Sequence, residues 1–514
     1  MPKPFIPARA RVATGVPGLD EVLCGGLPPN RLYLLQGDPG VGKTTASLQF
    51  LREGARRGEA TLYVTLSETR EEVAGVMESH GWETTSVEVF QLNQFNPEAG
   101  HVDPHAEENT LFVPAEVEFG ERMKALLNEI ERVKPERLVI DSCSELRLLA
   151  QTPLRFRRHI LALKERLAQR KCTVFMLENP INGGDVLLQS LVHGVIEMQQ
   201  LAPVYGAEKR RLRILKMREV RFRGGYHDLT MTHGGVTVYP RLIAAEHNRE
   251  FAIGTISSGL SELDLLLGGG LDRGTSTLFL GPPGSGKSAM AILFATAAAK
   301  RGERVAMFTF EEGLHTLNMR SRALGMPLEE HLASGQIRVR SIDPAELAPG
   351  EFAYAVRRAV EQDGAKIVII DSLNGYLHAM PDEQFITLQL HELLSYLRQQ
   401  GIVTLMIAAQ HGLMGPAMTT PVDVSYLADG VMLFRFFETK GRIRRALSIV
   451  KKRSGAHEDT IRELTFSPRG ITVGEPLHAF HGVLTGVPTF LGDATPALGV
   501  GPAPPRMDGD PHAG

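Results

Sequence analysis

Gly37-Asp38-Pro39-Gly40-Val41-Gly42-Lys43-Thr44 recurs later in the chain as Gly281-Pro282-Pro283-Gly284-Ser285-Gly286-Lys287-Ser288. Both segments match G-x-x-x-x-G-K-[ST], the phosphate-binding loop. Successive backbone N–H groups and a helix N-terminus must converge on a polyphosphate there, and only a glycine-rich turn brings them together. An ordinary glycine turn before a helix is the alternative, but two matches in equivalent contexts make chance a poor explanation. The loops therefore predict two nucleotide-binding sites.

The last residues of each loop have distinct predicted roles. Lys43 and Lys287 are expected to neutralise the β- and γ-phosphates of ATP. The hydroxyls of Thr44 and Ser288 are expected to bind Mg²⁺. We predict that one ATP contacts Gly37 to Thr45 and that a second contacts Gly281 to Ala289.

The composition is that of a globular protein with more than one domain. The chain has 514 residues, 43% of them apolar and 22% charged, enough for two cores. A net charge of −3 offers no general attraction to nucleic acid or to an anionic membrane. The three cysteines form no disulfide or zinc pattern, and we find neither a signal peptide nor a membrane-spanning stretch. We therefore predict a cytoplasmic protein.

The chain is a tandem duplication. The two loop lysines differ by 287 − 43 = 244 positions, and the motif Gly15–Asp20 recurs at the same offset as Gly259–Asp264. The predicted domains are 1–247 and 248–475, each containing one loop. Residues 476–514 form an extension that should be disordered from about residue 494, where Pro, Gly and Ala dominate.

An aspartate ends an apolar strand about a hundred residues after each loop. These strands are predicted at Leu138–Asp141 and Ile367–Asp371. Asp141 and Asp371 are therefore the expected magnesium carboxylates, together with the loop hydroxyls. We predict a helix over 121–132 and a loop over about 91–120, where His101 and His105 lack the further ligands of a metal site. The fold class is α/β, with two mostly parallel, doubly wound sheets.

Basic segments close each copy at Lys209–Arg218 and Arg442–Arg453. Basic and apolar residues alternate in both, as in a strand with one face in the core. The cations could be a solvated sheet edge, or they could form a row directed at phosphate.

Together these features resemble a RecA-type ATPase core, and the tandem form resembles the KaiC family of circadian clock ATPases and autokinases. The likeness runs from about Val12 to Gly474. It is most specific in residues 15–44, in Phe310-Glu-Glu312, and in Val450–His457 with Ile461-Arg-Glu463.

The resemblance implies an assembly and a catalytic set. Six chains are expected to form a hexameric double ring in which ATP lies between neighbouring subunits. Paired glutamates act as general base in the family, and a Lys-x-Arg reaches the neighbour's γ-phosphate. Carried over to this sequence, these residues are Glu311, Glu312, Lys451 and Arg453 in the second copy, and Lys216 and Arg218 in the first. A regulatory partner, KaiB-like or a signalling kinase, is also implied.

Two positions depart from the family pattern. Ser67-Glu68 stands where the first copy should have Glu-Glu, so we expect slow hydrolysis there. Glu68 is the remaining carboxylate, although alternation along an extended strand would direct its side chain to the other face. Ser425-Tyr426 replaces the family's adjacent Ser and Thr phosphoacceptors. Ser425 and Thr420 are therefore the candidate phosphoacceptors, and the alternative is that Ser425 satisfies the backbone at a strand start.

Three functions are compatible with the sequence. The leading one is an ATPase with serine/threonine autokinase activity in the second ring. A RecA-like DNA-dependent ATPase is a second, and the acidic net charge and the duplicated core argue against it. The third is a nucleotide-gated interaction scaffold with a weakly active first ring, which Ser67 favours.

Overall fold

The computed structural model describes residues 10–92, 115–179, 186–202, 206–377, 383–410, 425–439, 441–483 and 489–490. The predictions for Thr420, for His101 and His105, and for the tail beyond residue 494 lie outside these residues.

Two compact units make up the chain. The first contains Met1–Glu246, Asp343–Arg358 and Leu377–Leu393, and the second contains His247–Ile342, Ala359–Tyr376 and Leu394–Gly514. The boundary placed after residue 247 on sequence grounds stays a prediction.

The first large sheet has nine strands within the described residues. In spatial order they are β3 (Glu88–Gln91), β2 (Thr61–Thr65), β4 (Arg137–Asp141), β5 (Thr173–Glu178), β1 (Leu32–Gly37), β6 (Gly194–Leu201), β7 (Lys209–Met217), β8 (His227–Thr232) and β9 (Gly235–Tyr239). The first six strands of this spatial order, from β3 to β6, run parallel to one another. The last three, β7, β8 and β9, are each antiparallel to the strand before them.

Helices cover both faces of this sheet. They are α1 (Leu19–Val22), α2 (Lys43–Arg56), α3 (Arg70–Ser79), α4 (Ala115–Val133), α5 (Cys143–Ala150), α6 (Pro153–Gln169) and α7 (Val186–Leu191). Alternate residues of β1 enter different cores: Tyr33 packs with Phe50 of α2, whereas Leu34 packs with Ile160 of α6. Both faces of β1 are buried, which explains its unbroken apolar run.

The second large sheet repeats this order. Its described strands are β14 (Ile337–Ser341), β13 (Val305–Thr309), β15 (Ile367–Asp371), β16 (Val403–Ala409), β12 (Ser276–Gly281), β17 (Gly430–Thr439), β18 (Arg442–Lys452), β19 (Arg462–Ser467) and β20 (Gly470–Pro476). Short pairs are formed by β10 (Thr255–Ile256) with β11 (Leu271–Asp272), and by β21 (Phe480–His481) with β22 (Thr489–Phe490). The helices are α8 (Ser261–Leu266), α9 (Lys287–Lys300), α10 (Leu314–Ala323), α11 (Glu329–Ala333), α12 (Pro349–Glu361), α13 (Leu373–Leu377) and α14 (Glu383–Gln399).

The predicted fold class, tandem α/β domains with mostly parallel sheets, is confirmed. Helix α4 begins at Ala115 instead of residue 121, because Phe119 is buried and extends the packed face of the helix. In both sheets the switch in strand order places the carboxyl ends of the strands around one crevice, beside the loop after β1 or β12.

Residues after β20 pack onto the outer part of the second sheet. Phe480 contacts Phe437 of β17 with ring centroids 5.3 Å apart, and Val483 joins the same small core. The sequence alone offered no explanation for this segment, and its apolar residues cover part of β17.

None of the helices within the described residues is long and apolar enough to cross a membrane.

Candidate functional site: two phosphate-binding loops

Each predicted loop connects a central strand to a helix. The first runs from the end of β1 into α2, and the second from the end of β12 into α9. Gly40 and Gly42 have φ of 78° and 105°, and Gly284 and Gly286 have 76° and 105°. These left-handed values favour glycine, so the sequence motif and the backbone agree in both copies. The glycine before each turn is also required sterically: a Cβ on Gly37 would lie 2.3 Å from the Met198 carbonyl oxygen.

The loop lysines lie inside these turns. Lys43 Nζ donates to the carbonyl oxygens of Gly37 (2.6 Å) and Asp38 (2.8 Å). Lys287 Nζ donates in the same way to Gly281 and Pro282, both at 2.8 Å. Burial lowers the pKa of each lysine to about 8, and nearby carboxylates oppose the shift. Both lysines therefore remain largely charged near neutral pH, as neutralisation of phosphate requires.

The predicted magnesium residues come together in both copies. Thr44 Oγ1 donates to Asp141 Oδ2 over 3.2 Å. The Ser288 hydroxyl likewise hydrogen-bonds Asp371 and opposes the rise in its pKa that burial causes. A hydroxyl at the start of a helix and a buried carboxylate at the end of a strand provide oxygen ligands of the kind that Mg²⁺ prefers. The residues present thus fit a magnesium-bound nucleotide at each loop.

The paired glutamates of the second copy point to different partners. Glu311 Oε1 accepts a hydrogen bond from Ser372 Oγ at 2.5 Å, directly beyond the magnesium aspartate of β15. Glu312 Oε2 lies 2.8 Å from Arg320 Nη2 on α10. Burial raises the pKa of Glu312, and Arg320 opposes this. Glu311 is therefore the better placed of the two for chemistry beside Asp371.

Glu68 in the first copy differs from the expectation based on strand alternation. Strand β2 ends at Thr65, whose hydroxyl bonds both the N–H and the carbonyl of Glu68 in a turn. The carboxylate is half-buried, and Oε2 has no hydrogen-bond partner among the described residues. Burial, followed by the charges of Asp141 and Glu72, raises the pKa of Glu68 to about 7. The charge of Asp141 contributes to this shift. Because β2 ends before Glu68, strand alternation does not apply to this side chain, and its role as a base stays a prediction.

The late basic residues bind carbonyl groups of their own chain. Lys216 Nζ donates to Gln189 (2.7 Å) and Val192 (2.9 Å), and Arg218 Nη2 donates to Ser190 (3.2 Å). Both therefore bind the C-terminal end of α7, and Lys216 also binds the residue that follows this helix. Their predicted contact with a neighbouring subunit's phosphate stays a prediction.

The second copy repeats this arrangement around the candidate phosphoacceptor. Lys451 Nζ donates to the carbonyl oxygens of Ser425 (2.9 Å) and Ala428 (2.7 Å). Arg453 Nη2 donates to the carbonyl oxygen of Tyr426 over 3.2 Å. Ser425 is half-buried in the turn that precedes β17. The same two cations that the resemblance assigns to phosphate thus hold the backbone of this turn.

Two residues near the first loop were not predicted from the sequence. Tyr63 donates its hydroxyl to Asp141 Oδ2 at 2.5 Å. Glu178 ends β5, is buried, and pairs with Arg147 at 2.5 Å, and its charge opposes the lowering of the Lys43 pKa. A comparison of the repeats would have singled out both, because the register places Met307 and Ala408 at their positions in the second sheet.

A phosphate-binding loop, a metal hydroxyl and a carboxylate on a nearby strand, present twice in one chain, define a tandem P-loop ATPase. The sequence model described as "ATPase: KaiC" matches residues 12–243 and 256–478. The chain therefore belongs to the KaiC ATPase family.

Curated relatives match along nearly the whole chain. The circadian clock protein KaiC3 of Synechocystis sp. is 26% identical over 488 residues, which are 93% of this chain and 95% of the relative. The circadian clock oscillator protein KaiC of Synechococcus elongatus is 26% identical over 492 residues, 94% of this chain and 93% of the relative. The circadian clock oscillator protein KaiC of Picosynechococcus sp. is 25% identical over 486 residues, which are 94% of this chain and 93% of the relative. These matches confirm the resemblance drawn from the motifs and do not favour a DNA-dependent ATPase.

Proposed function

We propose that this protein is an ATP-hydrolysing regulator of the clock or signalling type, with one fast and one slow site in each chain. The observation that carries the proposal is the difference between Glu311 and Ser67. Glu311 lies against Ser372 beside the magnesium aspartate, whereas a hydroxymethyl group occupies the same position in the first copy. The names of the relatives support a clock-type role.

The residues of the second site divide the work of hydrolysis. When magnesium-bound ATP occupies the site, it supplies the γ-phosphoryl group that water attacks. Lys287 neutralises negative charge on the phosphates, and Ser288 and Asp371 hold the metal. Glu311 accepts the proton of the attacking water, and its contact with Ser372 fixes the carboxylate at this position.

The first site has the binding residues without the matching base. Lys43, Thr44 and Asp141 are arranged as in the second copy. Ser67 cannot accept a proton at neutral pH, so Glu68, with its pKa of about 7, is the remaining candidate base. The first site therefore binds ATP and turns it over slowly, which suits a nucleotide-gated role in assembly or partner recruitment.

The proposed assembly is a homo-hexamer in a double ring. Arg218 and Arg453 are exposed at the ends of late strands, next to lysines that hold the same turns. In the ring these cations act on the γ-phosphate of the neighbouring subunit, a role that is worth about 10³ to 10⁵ in rate. A regulatory protein partner belongs to the same proposal.

The second site is also proposed to phosphorylate Ser425 of an adjacent subunit, with Glu311 as base. After long incubation of the purified protein with Mg·ATP, intact-mass measurement should show added phosphate that Ser425→Ala removes. Mixing Lys287→Ala chains with wild type should still label the mutant chains, because transfer is between subunits. No added phosphate, or label unchanged in Ser425→Ala with none on Thr420, would reject the autokinase and leave the ATPase standing.

A further inference from the structure

The two magnesium aspartates differ in their hydrogen bonds. Asp141 Oδ2 accepts from both Tyr63 (2.5 Å) and Thr44 (3.2 Å). Asp371 Oδ2 is buried and has no hydrogen-bond partner within the described part of the chain. Asp141 thus receives two side-chain donors, whereas Asp371 receives the Ser288 hydroxyl and keeps one oxygen without a partner among the described residues.

One position accounts for the difference. Thr65 pairs with Asp141 across β2 and β4, and Thr309 pairs with Asp371 across β13 and β15. Two residues earlier in each strand stand Tyr63 and Met307. A methionine thioether has no hydrogen to donate, so the contact is specific to the first site.

Tyr63 is fully buried, and its hydroxyl has a different kind of partner from that of a second buried tyrosine in the sheet. Tyr33, also fully buried in this sheet, donates to the backbone carbonyl of Pro28 over 2.6 Å. Tyr63 instead donates to a side-chain carboxylate that belongs to the nucleotide site.

We propose that Tyr63 is a positioning residue for Mg²⁺ at the first nucleotide site. Its hydroxyl holds Asp141 in the orientation that, with Thr44, receives the metal. The inference rests on the proposed nucleotide site. A short hydrogen bond to a charged acceptor is among the stronger ones in proteins, and a buried carboxylate that loses it is both freer to rotate and less favourable as an anion. The first site thereby retains metal-bound nucleotide, which suits slow turnover.

The test measures metal binding in the full-length chain. Lys287→Ala is introduced so that a fluorescent ATP analogue reports the first loop, and MgCl₂ is titrated into metal-free protein. Tyr63→Phe should raise the half-saturating Mg²⁺ concentration about tenfold, because a hydrogen bond to a charged group is lost. Affinity for the analogue in EDTA should stay unchanged. Tyr33→Phe, which removes an equally buried hydroxyl from a backbone acceptor, should change neither value.

Two further variants separate the possible failures. Asp141→Asn tests the site itself: if Mg²⁺ dependence survives that change, the proposed metal site is wrong. If Asp141→Asn weakens the metal response while Tyr63→Phe and Tyr63→Met leave it within about twofold, the role of Tyr63 is refuted. Equal weakening with and without Mg²⁺ would show a purely structural tyrosine and would also refute it.

Discussion

Glu311→Gln isolates the chemistry of the second site from its structure. The Glu311 carboxylate accepts a hydrogen bond from Ser372 Oγ at 2.5 Å. Glutamine keeps the length of the side chain and an acceptor oxygen for that contact, but it cannot take up a proton. Folding and nucleotide binding should therefore survive while proton abstraction is lost.

The size of the effect follows from the loss of a general base. Such a loss costs about 10² to 10⁴ in rate, or ~2.7 to ~5.4 kcal/mol in the activation free energy. Because Ser67 leaves the first site without an equivalent carboxylate, little activity should remain to mask the change. Total ATP hydrolysis should fall at least about tenfold.

Phosphate release at saturating ATP and Mg²⁺ measures this change, with bound nucleotide and thermal unfolding recorded on the same samples. Glu329→Gln is the matched control, since that glutamate pairs with Arg322 at 2.5 Å on the protein surface and loses the same charge. Ser67→Glu added to Glu311→Gln should restore activity by about tenfold or more. If Glu311→Gln leaves hydrolysis largely intact, the first site carries out most of the ATP hydrolysis, and the proposed role of Glu311 is wrong.

Two other predictions concern assembly and pH. Light scattering should show a hexamer with ATP and Mg²⁺ that loosens when nucleotide is removed, because ligand bound between subunits stabilises their association. Arg453→Ala should weaken the assembly, and a monomer at micromolar protein with saturating ATP would contradict the ring. In the Glu311→Gln variant the residual rate should rise with pH and reach half its maximum near pH 7, because Glu68 must lose its proton to act as base and its pKa is about 7. A flat profile across this range would exclude Glu68.

The sequence predicted the features that depend on local backbone chemistry. Glycines at the loop positions with φ of 76° to 105° are needed for the turn itself, so the motif alone located both loops. Uninterrupted apolar runs ending in Asp141 and Asp371 identified strands buried on both faces and hence the carboxylates. The duplication supported each assignment by repeating it.

Periodicity was less informative for the antiparallel half of each sheet. No range was predicted for β6 or β17, although a strand start near Ser425 was considered, and the strands that follow the basic segments were not predicted. Their pairing depends on the register of neighbouring strands, and β6 and β17 each contain an irregularity next to the basic strand. Local residue patterns do not encode such a shift.

Contacts between distant residues were decided by the tertiary structure alone. Tyr63 and Asp141 are 78 positions apart, and Lys451 reaches the carbonyl of a residue 26 positions earlier. Glu68 lies in a turn bonded to Thr65, because the strand ends there. Which side chains meet depends on where strands end and how they are paired across the sheet, and that is settled by packing the whole domain, whereas the loops needed only their own residues.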